Sequence, residues 1–229
     1  MTLKITPILC NEKNMQNYAY LLQKEDTVII IDAAEATPIQ NVLTSLNLVP
    51  HYILTTHHHF DHVEGNLYLK EKYNLKIIAP IDELSQVPGA DIAAQENIPL
   101  QLGSIKIKVI HAPGHTMGHV LYYLPEEKKL FTGDVLFNLC IGGLFEGTPT
   151  EMFDSLQKIK ALPNETEFFP GHEYTRSGLP QINPNSPLVE IYIKKMLQRE
   201  NGEYAPATLG EEKELNPYLK ANTLTEFLG

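Results

Sequence analysis

Short hydrophobic stretches separated by turn residues run through the first third of the chain, a pattern typical of β-strands. Strands are predicted at residues 3–9, 18–22, 27–31, 51–55 and 76–79. The longest strongly apolar stretch is residues 28–31, far shorter than the roughly 20 residues of a membrane-spanning helix. The opening of the chain therefore predicts a set of adjacent strands.

Helix-start signals lie between these strands. Thr37, Pro38 and Gln40 have the types expected of an N-cap, a first helical residue and a capping-box partner, and they predict a helix that extends to about residue 46. A further helix is predicted at residues 63–73. Strand and helix thus alternate in this half of the chain.

The second half repeats strands followed by a helix. Residues 81–102 are rich in Pro, Gly, Asp and Gln and predict loop and short turns. Thr148, Pro149 and Glu151 form a capping box that predicts a helix to about residue 161. Four more strands are predicted at residues 105–110, 120–124, 130–132 and 167–169.

The end of the chain has a different character. After residue 175 a Pro/Asn/Ser-rich connector follows, and Ser186 with Pro187 predicts the start of a helix that ends near residue 200. We therefore expect a catalytic domain at residues 1–175 and a short helical appendage at residues 176–229. The mixture of elements predicts an α/β or α+β sandwich and leaves its topology open.

Composition and charge narrow the class of protein. Hydrophobic residues make up 43% and charged residues 20%, as in folded globular domains. The net charge of −10 opposes binding to nucleic acid or anionic membranes. We expect a cytoplasmic location, since the start of the chain lacks the pattern of a secretory signal. A monomer is the expected oligomeric state. Cys10 and Cys140 lie outside any C-x-x-C spacing and are expected to be buried.

Potential metal ligands follow four of the predicted strands. The run THHHFDH places His57, His59, Asp61 and His62 within six residues. The other three candidates are His115 in APGH, Asp134 in TGD and His172 in PGH. Because loops at the carboxyl ends of strands line the ligand crevice of α/β folds, we expect these loops to converge.

Five imidazoles and two carboxylates without a thiolate suit zinc, iron or manganese, and contain too much nitrogen for magnesium or calcium. One tetrahedral site cannot use seven ligands. Two divalent ions with roughly three protein ligands each, sharing one carboxylate, would use all of them and leave positions open for water. A binuclear hydrolytic centre is therefore predicted, with zinc as the first choice.

The remaining polar residues near these motifs are less specific. His51 and His58 are expected to face away from the cluster, and His111 suits either strand packing or a pocket wall. His119 suits either support of a ligand or a hydrogen-bonded place in the core. Asp32 suits either acceptance of a hydrogen bond from a ligand imidazole or a role in a turn.

In combination, the motifs THHHFDH, APGHTMGH, FTGD and PGH resemble the metallo-β-lactamase superfamily over residues 1–175. THHHFDHVEGN, LFEGTPTEM, PGHEYT and NPYLK bring the resemblance closest to the glyoxalase II family, the hydroxyacylglutathione hydrolases. The resemblance implies an α+β fold, an αβ/βα four-layer sandwich with a binuclear site at one edge.

The same resemblance implies roles for the ligands. His57, His59 and His115 would hold one metal and Asp61, His62 and His172 the other, with Asp134 bridging. Asp61 and Asp134 are also the expected catalytic residues. The implied reaction is hydrolysis of the thioester S-D-lactoylglutathione to D-lactate and glutathione, by attack of a metal-bridging hydroxide on the carbonyl carbon.

This sequence departs from the family pattern at positions that are expected to bind the substrate. Gly143 and Phe145 in LCIGGLFEGT stand where the family usually has a lysine and a tyrosine that bind glutathione. Tyr174 matches a glutathione-contacting tyrosine, and Lys220 lies where an arginine is common. We therefore expect weaker or altered glutathione binding, and another thioester is an open alternative.

Other functions on this fold remain alternatives. A glutathione persulfide dioxygenase would hold one iron through two histidines and an aspartate, whereas a lactonase would use the same two metals on a different ester. A nuclease is disfavoured by the acidic charge balance. A non-catalytic binding module would require the whole ligand set to be vestigial.

Overall fold

Two β-sheets pack face to face, and helices cover the outer face of each sheet. The computed structural model describes residues 2–11, 13 and 15–229. Helix, sheet, sheet and helix form successive layers, with one hydrophobic cluster between each pair of neighbours. The αβ/βα four-layer sandwich implied by the sequence motifs is therefore confirmed.

The first sheet is built by the N-terminal half of the chain. Its strands follow the chain order and are β1 (Lys4–Cys10), β2 (Asn17–Lys24), β3 (Thr27–Ile31), β4 (Tyr52–Leu54), β5 (Lys76–Pro80) and β6 (Ile92–Ala94). The first three strands are antiparallel, and β3 to β6 are parallel. The carboxyl ends of β3 and β4 therefore lie side by side.

The second sheet has the order β14-β13-β10-β9-β8-β7. Strands β10 and β13 are parallel, and the other neighbours in this sheet are antiparallel. A separate hairpin is formed by β11 and β12. The strands of this half are β7 (Leu100–Leu102), β8 (Ile105–His111), β9 (Val120–Leu124), β10 (Lys129–Gly133), β11 (Leu136–Phe137), β12 (Cys140–Ile141), β13 (Glu167–Pro170) and β14 (Ala207–Thr208).

The helices lie on the outer faces and at the C-terminal end. They are α1 (Ala36–Ser45), α2 (Phe60–Val63), α3 (Asn66–Tyr73), α4 (Pro149–Lys160), α5 (Thr175–Gly178), α6 (Leu188–Glu200), α7 (Leu209–Leu215), α8 (Pro217–Lys220) and α9 (Leu224–Leu228). Single 3₁₀ turns occur at Ile81–Glu83 and Leu179–Gln181. Among the residues that the structure describes, no helix has the length and apolar character needed to cross a membrane.

The central core lies between the sheets, where alternate side chains of both meet. Tyr20, Leu22, Tyr122 and Phe131 belong to it, and the ring of Tyr20 contacts that of Phe131 at 5.5 Å between centroids. Complete burial of one such side chain contributes roughly 1.5–3 kcal/mol. This packing fixes the two sheets relative to each other, and with them the loops at their edges.

The predicted start of α1 is wrong by two residues. The helix begins at Ala36 after an extended Glu35, and no side chain caps it. Thr37 is therefore not the N-cap, and Pro38 is the third helical residue. Proline is tolerated there because the backbone N–H groups of the first turn have no partner within the helix.

The single helix predicted at residues 63–73 is two helices, α2 and α3, interrupted at Gly65. The backbone N–H of Gly65 donates to Ala33 O at 2.8 Å, which ties this point to the loop after β3. A side chain at Gly65 would collide with Ala33 O. The interruption therefore comes from a tertiary contact that hydrophobic periodicity does not reveal.

The region predicted as loop at residues 81–102 contains the short strands β6 and β7, and the sequence analysis also missed β11, β12 and β14. Strands of two or three residues are too short for a periodic signal. The capping box of Thr148 and Glu151 is confirmed at the start of α4. Before α6, the Ser186 hydroxyl accepts a hydrogen bond from the Leu188 N–H at 3.4 Å, and Pro187 is the N-cap.

The C-terminal segment joins the second half of the sandwich. Strand β14 pairs with β13, so the segment adds a strand as well as helices. Leu209, Leu219 and Phe227 share a hydrophobic cluster with Met152 and Leu156 of α4. The domain boundary near residue 175 stays a prediction.

Candidate metal centre

The predicted metal ligands meet at one edge of the sandwich, where loops of both sheets come together. The segment 57–62 follows β4 of the first sheet. His115, Asp134 and His172 follow β8, β10 and β13 of the second sheet. Apart from the half-buried His59, the side chains of the seven are buried. The convergence expected from strand ends is therefore present in the fold.

The seven side chains form overlapping groups of three. Within each group, one ligand atom per residue lies within 4.8 Å of the others. The groups are His57, His59 and His115; Asp61, His62 and His172; and His57, His62 and Asp134. The first two groups match the two sets expected from the sequence, and the third connects them.

Asp134 lies between the two sets. Its Oδ2 is 3.5 Å from His115 Nε2 and 3.1 Å from His172 Nε2. Its Oδ1 is 3.3 Å from His62 Nε2. One carboxylate therefore contacts histidines of both sets, which is the placement required of a bridging ligand.

The second set also contains Asp61, whose Oδ2 lies 3.4 Å from His172 Nε2 and 3.7 Å from His62 Nε2. The side-chain amide of Asn17, at the start of β2, donates to that oxygen at 2.9 Å and to the Asp61 carbonyl at 3.1 Å. These bonds fix the rotamer of Asp61. Asn17 was missed by the sequence analysis, since an Asn at a strand start carries no distinctive signal.

Backbone and side-chain oxygens select the tautomers of the histidines. The Nδ1 atoms of His115 and His172 lie 2.8 Å from the carbonyls of Gly143 and Met15. Because a carbonyl accepts only, Nδ1 of each ring carries the proton and donates it. The lone pair of each Nε2 is then directed into the cluster, as a metal ligand requires.

Asp32 gives the same orientation to His62. Its Oδ2 accepts from His62 Nδ1 at 3.0 Å and from the Thr56 hydroxyl at 2.8 Å. Since Thr56 Oγ1 donates to Asp32, it accepts from His57 Nδ1 at 3.0 Å. Of the two roles open to Asp32, the hydrogen bond to a candidate ligand is therefore confirmed.

Distances between facing nitrogens test whether the donor set fits a metal. His115 Nε2 lies 3.0 Å from His59 Nδ1, and His62 Nε2 lies 3.3 Å from His172 Nε2. Two nitrogens bound to one tetrahedral zinc lie roughly 3.3 Å apart, since Zn–N bonds are roughly 2.0–2.1 Å. His57 Nε2 is buried without a hydrogen-bond partner. This donor set fits a pair of divalent ions.

Burial and neighbouring charges set the protonation states of the candidate ligands. Burial lowers the pKa of His57, His59 and His115 below the usual value, which favours neutral imidazole. Burial alone would raise the pKa of Asp134, but His62 and His172 hold it well below the usual range. Burial alone would lower the pKa of His62, but Asp134 and Asp32 raise it well above the usual value, so this imidazole releases a proton when it coordinates a divalent ion.

The side chain of Glu83 connects the loop that carries His57 and His59 to the loop that carries His115. Its buried carboxylate accepts from the His58 N–H at 2.6 Å and the Gly118 N–H at 3.0 Å, and also from the Thr116 hydroxyl. These donors flank the candidate ligands at 57–59 and 115. Glu83 lies in the region that the sequence analysis read as loop, so its role was not predicted.

The positions of the other four histidines agree with the roles that the sequence left open for them. His51 is exposed. The ring of His58 turns toward Glu83, with 3.0 Å between Nδ1 and Oε2, and so faces away from the cluster as expected. His111 is half-buried near the Met117 carbonyl. His119 Nε2 accepts from the Asp134 N–H at 3.1 Å and its ring stacks on His57, so His119 supports two candidate ligands.

Close packing around Asp134 requires glycine at position 171. A Cβ at Gly171 would overlap Asp134 Oδ1 and contact His62 Cε1 at 2.8 Å. Neither cysteine belongs to the site. Cys10 and Cys140 are buried as predicted, and burial raises the pKa of both thiols to about 12, so both stay protonated.

A cavity of about 420 Å³ opens over the cluster. It is lined by Met15, His59, Phe60, Asp61, His115, Asp134, Phe137, Gly143, Phe145, His172 and Tyr174. The Tyr174 ring stacks on the His172 ring with 4.7 Å between centroids. Of the two predicted substrate-binding residues, Tyr174 is therefore in this cavity, whereas Lys220 lines a separate hollow with Gln181 and Glu226.

Comparisons with known proteins agree with this geometry. A sequence model described as the metallo-beta-lactamase superfamily matches residues 13–93 and 100–172. A hydroxyacylglutathione hydrolase of Mesorhizobium japonicum is 42% identical over 227 residues, covering 96% of this chain and 88% of the relative.

Two solved structures share the fold over nearly the whole chain. The B3 metallo-beta-lactamase BLEG-1 is 27% identical with a TM-score of 0.73, covering 96% of this chain and 100% of that one. A protein called TTHA1623, solved in a di-iron-bound form, is 26% identical with a TM-score of 0.65, covering 93% and 98% of the two chains.

Proposed function

Because the chain belongs to the metallo-beta-lactamase superfamily, in its hydroxyacylglutathione hydrolase family, we propose that it is a metal-dependent thioester hydrolase. Its proposed substrate is S-D-lactoylglutathione, which it cleaves to D-lactate and glutathione. The observation that carries the proposal is the pair of ligand sets, within each of which one ligand atom per residue lies within 4.8 Å of the others, with Asp134 in contact with histidines of both.

Two divalent ions are the proposed cofactors, zinc first and iron or manganese as alternatives. His57, His59 and His115 would hold one, Asp61, His62 and His172 the other, and Asp134 both. When bound, such ions lower the pKa of water toward roughly 7 and polarise a carbonyl oxygen. The donor set supports this assignment because His62, His115 and His172 donate through Nδ1, which directs the Nε2 of each ring toward the cluster.

The chain's own groups then position the reactants. Asp134 and Asp61 contribute as candidate metal ligands. The hydrogen bonds from Asn17 to Asp61 and from His62 to Asp32 hold these side chains in fixed orientations. Tyr174 forms a flat wall beside His172, against which the thioester can lie. A thiolate is a good leaving group, so the reaction requires no strong general acid.

The first experiment is steady-state hydrolysis of S-D-lactoylglutathione by protein loaded with zinc, iron or manganese, with metal content measured on the same sample. We expect about two ions per chain and saturable turnover, with kcat in the ordinary range of roughly 1–10³ per second. Protein that holds two ions and hydrolyses no thioester contradicts the proposal. Consumption of oxygen with glutathione persulfide would identify the protein as a dioxygenase instead. Turnover of lactones but not of thioesters would identify it as a lactonase.

A further inference from the structure

The wall of the cavity is apolar and aromatic beyond the candidate ligands. Phe60 and Phe145 line it with 67% and 73% of their surface exposed, and Phe137, Tyr174 and Met15 complete it. The Phe145 ring meets His59 and His115 edge-on, at 5.4 and 5.1 Å between centroids. Large exposed aromatic side chains around a cavity are typical of a surface that binds an apolar group.

The described residues that line the cavity include no lysine or arginine. Arg199 is buried against Glu173 at 2.6 Å, and Arg176 pairs with Glu200 at 2.7 Å. Lys13, two residues before Met15, is exposed and does not line the cavity. Lys220 lines the separate hollow. No cationic side chain of the lining is thus available to pair with a carboxylate of the substrate.

Glu146, the neighbour of Phe145 in the chain, is not among the residues that line the cavity. Its carboxylate accepts from the Met117 N–H at 2.8 Å while its other oxygen lies 3.5 Å from His58 Nε2. These contacts direct the carboxylate toward Met117 and His58. Among the described residues that line the cavity, the only carboxylates are therefore those of the candidate ligands Asp61 and Asp134.

We infer that the cavity binds the thiol half of its substrate by apolar contact and does not select for the carboxylates of glutathione. The substrate class then extends to thioesters of small uncharged thiols. This inference rests on the proposed thioester hydrolysis and adds the specificity of the same site. Phe145 is its specificity-determining residue.

The test compares S-D-lactoylglutathione with S-D-lactoyl-N-acetylcysteamine, which has the same acyl group and thioester but no charge on the thiol. A site built to hydrogen-bond a polar group rejects an analogue without it by roughly 10⁴–10⁵-fold. We expect kcat/KM for the two thioesters to agree within about tenfold. A larger preference for the glutathione thioester overturns the inference, and hydrolysis of neither overturns the proposed function instead.

Ionic strength gives a second readout on the glutathione thioester. Recognition of carboxylates by charge weakens as salt screens the interaction, whereas apolar contact does not. We expect KM to change by less than about twofold between low salt and roughly 0.5 M salt. A steep rise of KM with salt overturns the inference.

Substitution of Phe145 tests whether its ring contacts the substrate. Phe145→Ala is expected to raise KM for both thioesters by the same factor with metal content unchanged, and Phe145→Tyr to restore it. Leu67→Ala is the matched control, since Leu67 lies on α3 with 57% of its surface exposed and does not line the cavity. An unchanged KM in Phe145→Ala, or a rise for the glutathione thioester alone, overturns the assignment of Phe145.

Discussion

At the scale of single residues, the carboxylate of Asp134 lies between the two histidine sets, so we expect its substitution to affect activity more than that of any other ligand. Asp134→Asn leaves one oxygen and one amide nitrogen where two carboxylate oxygens contact His62, His115 and His172. An amide nitrogen donates and cannot coordinate a cation. We expect kcat to fall by at least about a hundredfold, as when a group that stabilises charge in a transition state is lost.

The measurement is kcat for thioester hydrolysis together with metal content. Asp154→Asn is the matched control, because Asp154 lies on an exposed face of α4. Near-normal turnover at unchanged metal content would exclude a bridging role for Asp134.

Glu83 acts on the metal centre without contacting it. Glu83→Gln replaces one of two acceptor oxygens by a donor, so the bonds from His58, Thr116 and Gly118 can no longer all form. Loss of such a supporting contact typically weakens metal affinity by roughly 10–100-fold. We expect this loss in the set that contains His59 and His115, with the other set retained.

Chelator competition on the loaded protein measures the two affinities. Glu127→Gln removes a surface pair with Lys24 and serves as control. Equal weakening of both ions would mean that Glu83 supports the fold in general, and unchanged affinity would mean that it supports neither loop.

At the scale of elements, helix α6 is connected to the loop after β13 by a buried ion pair. Arg199 donates to Glu173 at 2.6 Å and to Thr175 Oγ1 at 2.9 Å. Glu173 lies between His172 and Tyr174 in the chain. The docking of a C-terminal helix therefore sets the position of one candidate ligand and one wall of the cavity.

Arg199→Met tests this connection. It leaves the Glu173 carboxylate buried without its partner, and loss of one member of a buried pair typically costs roughly 3–5 kcal/mol. We expect that loss in the free energy of urea unfolding, with a smaller loss in the double variant Arg199→Met/Glu173→Gln. If the double variant is no more stable than Arg199→Met, the cost comes from helix packing alone.

The secondary-structure elements also differ in whether the sequence alone could predict them. The strands of the sheet centres and the capping box of α4 were predictable, since each carries a signal within five to twelve residues. The strands β6, β7, β11 and β12 were not, because two or three residues form a strand only when partners from elsewhere pair with them. The break at Gly65 likewise depends on Ala33, which is distant in the chain.

The candidate ligands were predictable for a different reason. Each has the residue type of a metal ligand and follows a predicted strand, and loops at the carboxyl ends of strands line the ligand crevice of α/β folds. Their supports were not predictable, because Asn17 and Glu83 carry out their roles through contacts across the fold. The place of Lys220 outside the cavity depends on how the C-terminal helices dock, which local sequence does not determine.

At the scale of the whole molecule, one buried carboxyl group makes stability depend on pH. Burial raises the pKa of Glu212 from 4.5 to about 7, although Tyr192, Asn216 and the Leu139 N–H all donate to it. Between these values the folded state holds a proton that the unfolded state has released. Stability contributed by this group is therefore present at low pH and is lost as pH rises from 4.5 to 7.

The expected loss across that window is on the order of 3 kcal/mol, at 1.36 kcal/mol per pKa unit. Glu212→Gln, which does not titrate, should flatten this part of the profile of unfolding free energy against pH. Glu214→Gln, at an exposed neighbouring position, should leave the slope unchanged. An identical slope in Glu212→Gln would assign the pH dependence to other groups.

The ligand loops also have a mechanical consequence. His57, His59, Asp61 and His62 are carried by the first sheet, while His115, Asp134 and His172 are carried by the second. Ions held by both groups would add to the hydrogen bonds that already join the halves of the sandwich at this edge, such as those from Val120 N–H to Thr56 O and from Tyr18 N–H to Gly171 O. Bound metal would then stabilise the folded protein against separation of its two halves, because the unfolded chain does not hold both groups together.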